Sequence, residues 1–404
     1  LSQEVLNTIT VAVSLPRGFT SFVTNVGIKD ATDDFTVVAT NTPVSASGVF
    51  TQSRFAGPSV LVSREHVSSG HAQAVVVISK NANVATGPIG LQHAREITES
   101  VAARLSCQPR DVLIASTGVI GRTYPIDNIR RGIAGLPIPL PDNVADRVAQ
   151  GIMTTDTVPK ISTAAVAGSE ATIVGVAKGV GMIEPNMATL IALVFTDADI
   201  DSTTLDATFR RVVNRTLNCV SVDSDTSTSD TAIIMASGVA GAVENESFEN
   251  ALHEVLLSLT HQIARDGEGA EKLIEVHVDG ARDDDQAKRV AKSIVNSPLV
   301  KTAIHGADPN WGRVAMAVGK CETDTDIDQT KVVIRFGSQE LFPNQVSDKD
   351  LEQLSSYMRG DTVRIHVSLG VAKGISGGTS GGTATVWGCD LTDGYVRINA
   401  DYTT

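Results

Sequence analysis

Apolar residues recur along this chain in two rhythms, one of two residues and one of three to four, which alternate from end to end. A period of two lines one face of a strand, whereas a period near 3.6 lines one side of a helix. The β-rich runs are Ala74–Ser79, Val112–Ser116, Ala171–Val176, Leu190–Phe195, Val332–Phe336 and Val363–Leu369. The helical period is clearest over Phe248–Arg265, where Phe248, Leu252, Val255, Leu256, Leu259 and Ile263 form the stripe and Glu249, Glu254 and Gln262 face water. Leu91–Leu105 and Asp284–Val295 show the same period. Strand runs alternating with amphipathic helices predict an α/β fold in which large β-sheets are covered by helices.

Punctuation divides these elements. The patch GLPIPLPDN, Gly135 to Asn143, predicts an exposed connector that separates the first third from the rest of the chain, because closely spaced prolines remove backbone donors. KGISGGTSGGT, Lys373 to Thr383, predicts a flexible loop between strands. There is no internal repeat. The longest near-continuous apolar stretch, Met187 to Phe195, is far shorter than the ~20 residues of a membrane helix, so no span is expected. The first residues, LSQEVLNTITVAVSLPRGF, lack a basic start and a clean apolar block ending in a small-residue cleavage site, so no secretory signal is expected; with no initiator Met, they leave room for trimming.

Composition narrows the partners. The 404 residues are 42% hydrophobic, 20% charged and 4% aromatic, the composition of a soluble globular chain able to bury a large core. With 46 acidic against 33 basic residues the net charge is -13, which repels phosphate backbones and anionic lipid, so neither nucleic acid nor a membrane surface is an expected partner. Cys107, Cys219, Cys321 and Cys389 form no CxxC pair and no disulfide framework, which points to inert thiols in a reducing cytoplasm.

Several motifs fail on spacing. GVAKGVG, ending at Gly181, is neither GxGxxG nor a P-loop, so no nucleotide cofactor is expected. GTSGG, Gly378 to Gly382, satisfies GxSxG but lies in a Gly-rich loop leading into a strand-like segment rather than on a strand-to-helix elbow. The eight histidines show neither HxxxH nor HExxH, so no zinc site is expected. His277 alternates with Val276 and Val278 on the polar face of a strand, and His305, in IHGADPNWGR, falls in a loop. The unusual region is KGVGMIEPNMATLIALVF, Lys178 to Phe195, where Gly179, Gly181 and Pro185 mark an irregular loop and an apolar strand begins near Thr189. On spacing alone Thr189 is a core threonine at a strand start.

Taken together, NANVATG (Asn81 to Gly87), STGVIG (Ser116 to Gly121), MTTDTVPK (Met153 to Lys160), KGVGMIEPNMAT (Lys178 to Thr189), VDSDTSTSDT around Asp223, DGEGAEKL (Asp266 to Leu273), NSPLVKTAIHGADPNWGR (Asn296 to Arg313) and the terminal WGCDLTDGYVRINADYTT give the chain its identity. In that order they resemble the bifunctional ornithine acetyltransferases, or glutamate N-acetyltransferases, and most of all the branch encoded with clavulanic-acid-type pathways. The resemblance implies a sandwich of the N-terminal-nucleophile kind and self-cleavage between Ala188 and Thr189. Segments 1–188 and 189–404 would result, the second ending in a smaller α/β part from about residue 280. Thr189 would then carry acetyl from N2-acetyl-L-ornithine to L-glutamate in a cytoplasmic α2β2 assembly without cofactor or metal.

The same resemblance implies an oxyanion hole made by the Thr117 hydroxyl and the Gly118 N–H, and a substrate grip from Thr154 or Thr155, Lys178, Glu268, Asn399 and Thr404. Lys178 is the natural partner of a carboxylate and Glu268 of an ammonium. Taken alone, Gly118 is a turn glycine after a strand and Glu268 a solvated acid at a helix end. The tail would run into the site as a strand. Two departures from the family pattern are the long Gly-rich stretch 373–383 and Ser229 where many members have Asn. Two other readings stay open: a β-aminopeptidase-like hydrolase using the same threonine, and a non-catalytic paralogue.

Overall fold

The structure, a computed structural model, describes residues 12–28, 31–184, 190–344, 346–371 and 381–401. Ala188, Thr189, Thr404 and most of the Gly-rich stretch 373–383 lie outside the described residues. In chain order the strands are β1 (Thr20–Thr24), β2 (Phe35–Phe50), β3 (His71–Asn81), β4 (Val112–Val119), β5 (Lys160–Ala165), β6 (Thr172–Lys178), β7 (Ile191–Asp199), β8 (Val220–Ser221), β9 (Thr231–Ala242), β10 (Leu273–Ala281), β11 (Val333–Phe336), β12 (Gln339–Phe342), β13 (Thr362–Ser368) and β14 (Gly382–Cys389). An eight-stranded sheet runs β4-β3-β2-β9-β7-β6-β5 with β1 paired to β2, and a six-stranded sheet runs β12-β11-β13-β10-β14-β8. Every β-rich run read from the sequence forms a strand, and the α/β architecture of helix-covered sheets is present.

The alternation along β7 explains how the layers stack. Ile191, Leu193 and Phe195 pack with Val148, Ala149 and Ile152 of the helix Ala145–Ile152. Ala192 and Val194 point the other way, toward the helices Ser202–Arg215 and Asn245–Arg265, whose core continues into Val276 and Val278 of the second sheet. A strand buried on both faces reads as a continuous apolar run, as LIALVF does. The stripe predicted over Phe248–Arg265 is buried, and the helix begins earlier, at Asn245, because the Glu244 carboxylate accepts the Glu246 and Ser247 amides at 3.0 and 2.6 Å. The Asp284–Val295 helix is capped in the same way by Asp283, which accepts from Gln286 at 2.7 Å.

Three local expectations are corrected. The Pro-rich patch does connect two helices, Ile126–Ala134 and Ala145–Ile152, but it is no boundary, since the chain before and after it contributes strands to the same sheet. Its Leu136 and Leu140 are buried, and its backbone is satisfied by pairing with the N-terminal segment, Asp142 exchanging hydrogen bonds of 2.7 and 3.1 Å with Ser21. His305 is not in a loop but ends the helix Pro298–His305, which Pro298 at its first turn and the Ser297 cap start. As far as it is described, the tail is not a strand. Residues Asp393–Ala400 are helical, started by the Thr392 hydroxyl, which accepts the Gly394 amide at 3.0 Å and donates to the Gly269 carbonyl at 2.6 Å.

No helix among the described residues is long and apolar enough to cross a membrane. The four cysteines are free. Burial pushes each thiol up, Cys107 to about 11, so the nucleophilic thiolate is disfavoured.

Candidate active site

A cavity of about 170 Å³ opens where β4 and β6 of the first sheet end. Thr117, Gly118, Thr154, Thr155, Lys178, Glu268 and Asn399 all line it, so the structure brings together every predicted site residue that it describes. Ala188, Thr189 and Thr404 are outside the described residues.

One wall comes from the end of β4, which runs parallel to β3 with Gly118 opposite Lys80. Gly118 has φ +134°, and a Cβ there would lie 2.2 Å from the Lys80 carbonyl carbon, so only glycine fits. Thr117 is 2% exposed, and its hydroxyl has no hydrogen-bond partner among the described residues. A buried orphan hydroxyl costs desolvation unless something else occupies the cavity to receive it.

The opposite wall is electrostatic. Lys178, the last residue of β6, is 4% exposed and donates from Nζ to Thr154 Oγ1 at 3.0 Å. Burial pushes its ammonium down, the Asp156 carboxylate opposes that shift, and Lys160 adds to it. Asp156 ties this wall together: its carboxylate accepts the Gly179 amide at 2.7 Å, the Thr154 amide at 3.1 Å and Lys160 Nζ at 2.8 Å. Burial alone would raise Asp156, but Lys178 and Lys160 outweigh it and hold the carboxyl below its usual range. Lys160 is fully buried and also meets Asp266 at 2.5 Å, two residues before Glu268. The buried Asp156–Lys160–Asp266 chain therefore locks residues 154–156, 178–179 and 266–268 into one frame. A buried charge that lost its partner would cost several kcal/mol, about 3–5, which gives the frame its rigidity.

Glu268 closes the rim. Its amide donates to the Val180 carbonyl at 2.8 Å, and its carboxylate accepts from Asn399 Nδ2 at 2.9 Å. Burial pushes this carboxyl up; Asn399 lowers it again, Asp223 raises it, and Lys178 and Thr155 lower it, leaving it above the ordinary range. Gly181 leaves room for it, since a Cβ there would sit 2.4 Å from Glu268 Oε2. Asp223 fixes the neighbouring turn, accepting the Met182 and Ile183 amides at 2.6 and 2.7 Å.

Sequence reasoning did not single out Ser227 and Thr228, which line the cavity, and touched Ser229 only as a family departure. The available signal was the hydroxyl-rich run STSD, 227–230, directly before β9. Ser229 is buried, its amide donates to Ser227 Oγ at 3.1 Å and its hydroxyl lies 3.3 Å from that of Thr228. The adjoining Asp230 is fully buried and holds the start of β7, accepting the Leu190 amide at 2.9 Å, while Thr231 N–H donates to the Leu190 carbonyl at 3.0 Å. Burial raises the Asp230 carboxyl well above its usual range.

Among the described residues the site thus offers an unpaired buried hydroxyl, a cation and a readily protonated carboxyl around a small cavity, which suits a small ligand carrying both a carbonyl and charged groups. Known proteins resemble this chain over most of its length. A Nostoc relative, "Arginine biosynthesis bifunctional protein ArgJ 2", is 53% identical over 97% of this chain and 99% of its own. The Streptomyces clavuligerus protein "Glutamate N-acetyltransferase Oat2" is 54% identical over 96% of this chain and 98% of its own. A solved structure of arginine biosynthesis bifunctional protein argJ from Bacillus halodurans is 41% identical with a TM-score of 0.47, covering 52% of this chain and 98% of that one. The ArgJ family profile matches residues 20–404, and with these relatives it establishes that the chain belongs to the ArgJ family of acyltransferases.

Proposed function

We propose that this chain cuts itself between Ala188 and Thr189 and then moves acetyl from N2-acetyl-L-ornithine to L-glutamate through an acetyl ester on Thr189. A threonine hydroxyl is a poor nucleophile until a base removes its proton, and the cut frees the α-amine of the same residue to act as that base. With a reference pKa of roughly 7.7 to 8.0, a useful fraction of that amine is neutral near pH 7. Thr189 Oγ adds to the acetyl carbonyl, its proton passes through the α-amine to the departing nitrogen, and ornithine leaves. The glutamate amine then attacks the ester, and the hydroxyl recovers its proton. Both additions create an oxyanion, which Thr117 and Gly118 would receive. The enzyme would work in the cytoplasm as α2β2, with no cofactor.

The observation that carries this reading is the buried Thr117 hydroxyl without a partner among the described residues, in a cavity that also holds Lys178 and Glu268. The name of the Streptomyces relative supplies glutamate as the acceptor. Intact mass measurement tests the proposal: two fragments are expected, broken before position 189, with one acetyl added to the C-terminal fragment after incubation with acetylornithine. Full turnover by an uncut chain would refute it. Release of free acetate in place of acetylglutamate would instead identify a hydrolase.

Lys178→Met should raise KM for both substrates by roughly 10- to 100-fold, the scale of a lost charge-assisted hydrogen bond. A change confined to one substrate would mean that Lys178 does not hold the shared α-carboxylate. Glu268 has a different task, because the two side chains differ in sign. Ionised, it can pair with the δ-ammonium of ornithine; protonated, as burial favours, it can donate to the γ-carboxylate of glutamate. Glu268→Gln should therefore raise KM for acetylornithine about tenfold and change KM for glutamate much less. Since the Glu268 carboxyl is raised, the wild-type grip on acetylornithine should weaken as pH falls through that raised value, while the Gln variant stays flat. Parallel pH profiles in the two proteins would remove Glu268 from this role.

A further inference from the structure

We propose that His277, Asp279 and His366 form a binding site for a divalent transition-metal ion on the solvent-facing side of the second sheet. β10 and β13 run parallel, with His277 opposite His366 and Asp279 opposite Ser368. Side chains two apart share a face, so Val276 and Val278 enter the core while His277 and Asp279 stand on the other side beside His366. His366 Nε2 lies 2.9 Å from Asp279 Oδ2, and one donor atom from each of the three residues lies within 4.8 Å of the others. The two imidazole centroids are 5.2 Å apart, inclined at 50°.

The surroundings prepare these atoms for a metal. Thr385, on β14, places its hydroxyl 2.9 Å from His277 Nδ1; in the tautomer in which that nitrogen donates, Nε2 carries the lone pair a metal needs. Thr383 Oγ1 is 3.5 Å from the same Nε2, within reach of a water completing the coordination shell. His366 and Asp279 have side chains 31% and 39% exposed, so an ion can enter from solvent. Two imidazoles and one carboxylate suit Zn²⁺, Cu²⁺, Ni²⁺ or Co²⁺ rather than Mg²⁺ or Ca²⁺. Tetrahedral zinc at its usual bond lengths sets donors about 3.3 Å apart, so the Asp279–His366 pair at 2.9 Å has to exchange its hydrogen bond for the ion and open by a few tenths of an ångström, while all three donors start within 4.8 Å of one another. None of these residues lines the acyl-transfer cavity, and the inference stands without that reading. A second cluster, Glu271, His305 and Asp390, has one imidazole, and its Asp390 already accepts the Glu271 and Lys272 amides at 2.9 Å. It serves as the control.

The test is calorimetric titration of Zn²⁺ into the tag-free full chain after chelator treatment, with Co²⁺ absorption and melting temperature as parallel readouts. One Zn²⁺ per chain, a visible Co²⁺ band and a raised melting temperature are expected. His277→Ala and His366→Ala should each weaken binding about 100-fold or more, and Thr385→Val, which removes only the outer-shell hydroxyl, about 10- to 100-fold. Asp279→Asn keeps the side-chain shape and should also weaken binding, with an unchanged metal-free melting temperature showing that its fold is intact, and His305→Ala should change nothing. Absence of stoichiometric binding, binding undiminished in both His277→Ala and His366→Ala, or loss confined to His305→Ala would overturn the proposal.

Discussion

Thr189→Ala should yield a single uncut chain of 42.4 kDa that forms no acetylglutamate at all. The proposed hydroxyl both initiates the cut and carries the acetyl group, and the α-amine that activates it exists only after the cut. Both events therefore fail together, and the loss is complete rather than partial. Thr189→Ser, which keeps a hydroxyl and can generate the same α-amine, should retain both. Denaturing electrophoresis and a product assay on the same preparation read the two outcomes. Transfer by a verified Thr189→Ala protein would place the nucleophile elsewhere.

Thr117→Ala should lower kcat by about 100- to 1000-fold with little change in KM, the usual consequence of losing one oxyanion donor. The local structure makes this substitution unusually clean. The Thr117 hydroxyl has no partner among the described residues, so its removal breaks no hydrogen bond among them, and the melting temperature should hold or rise slightly. A fall in kcat accompanied by an equal fall in stability would point to a packing role. Unchanged kcat would remove Thr117 from the oxyanion hole.

The elements that were legible in the sequence are those whose signal is local. The stripe from Phe248 to Ile263 and the apolar run at Leu190–Phe195 reappear as the buried helix and strand they predict. Where the reading failed, a non-local contact decided. The tail from Asp393 to Ala400 looked extended but became a helix because Thr392 found the Gly269 carbonyl and the Gly394 amide. The prolines near Gly135 suggested a boundary, yet the segment pairs with Ser21 and lies beside one continuous sheet. For the site, the motif resemblance named the cavity residues, but nothing in MTTDTVPK or DGEGAEKL announced that Asp156, Lys160 and Asp266 would join as a buried frame beneath them.

By itself the amino-acid sequence determined the strands and helices with a clear apolar period, the exclusion of a long apolar span and the motif order of an acyltransferase family, since periodicity, composition and short motifs act between near neighbours in the chain. Only the tertiary structure decided which of those elements lie side by side. Strand order and register placed Gly118 against Lys80, carried Lys178 and Glu268 to one cavity, and set His277 opposite His366. These pairings join residues far apart in sequence, and a one-residue slip in register would turn each side chain to the other face of its sheet.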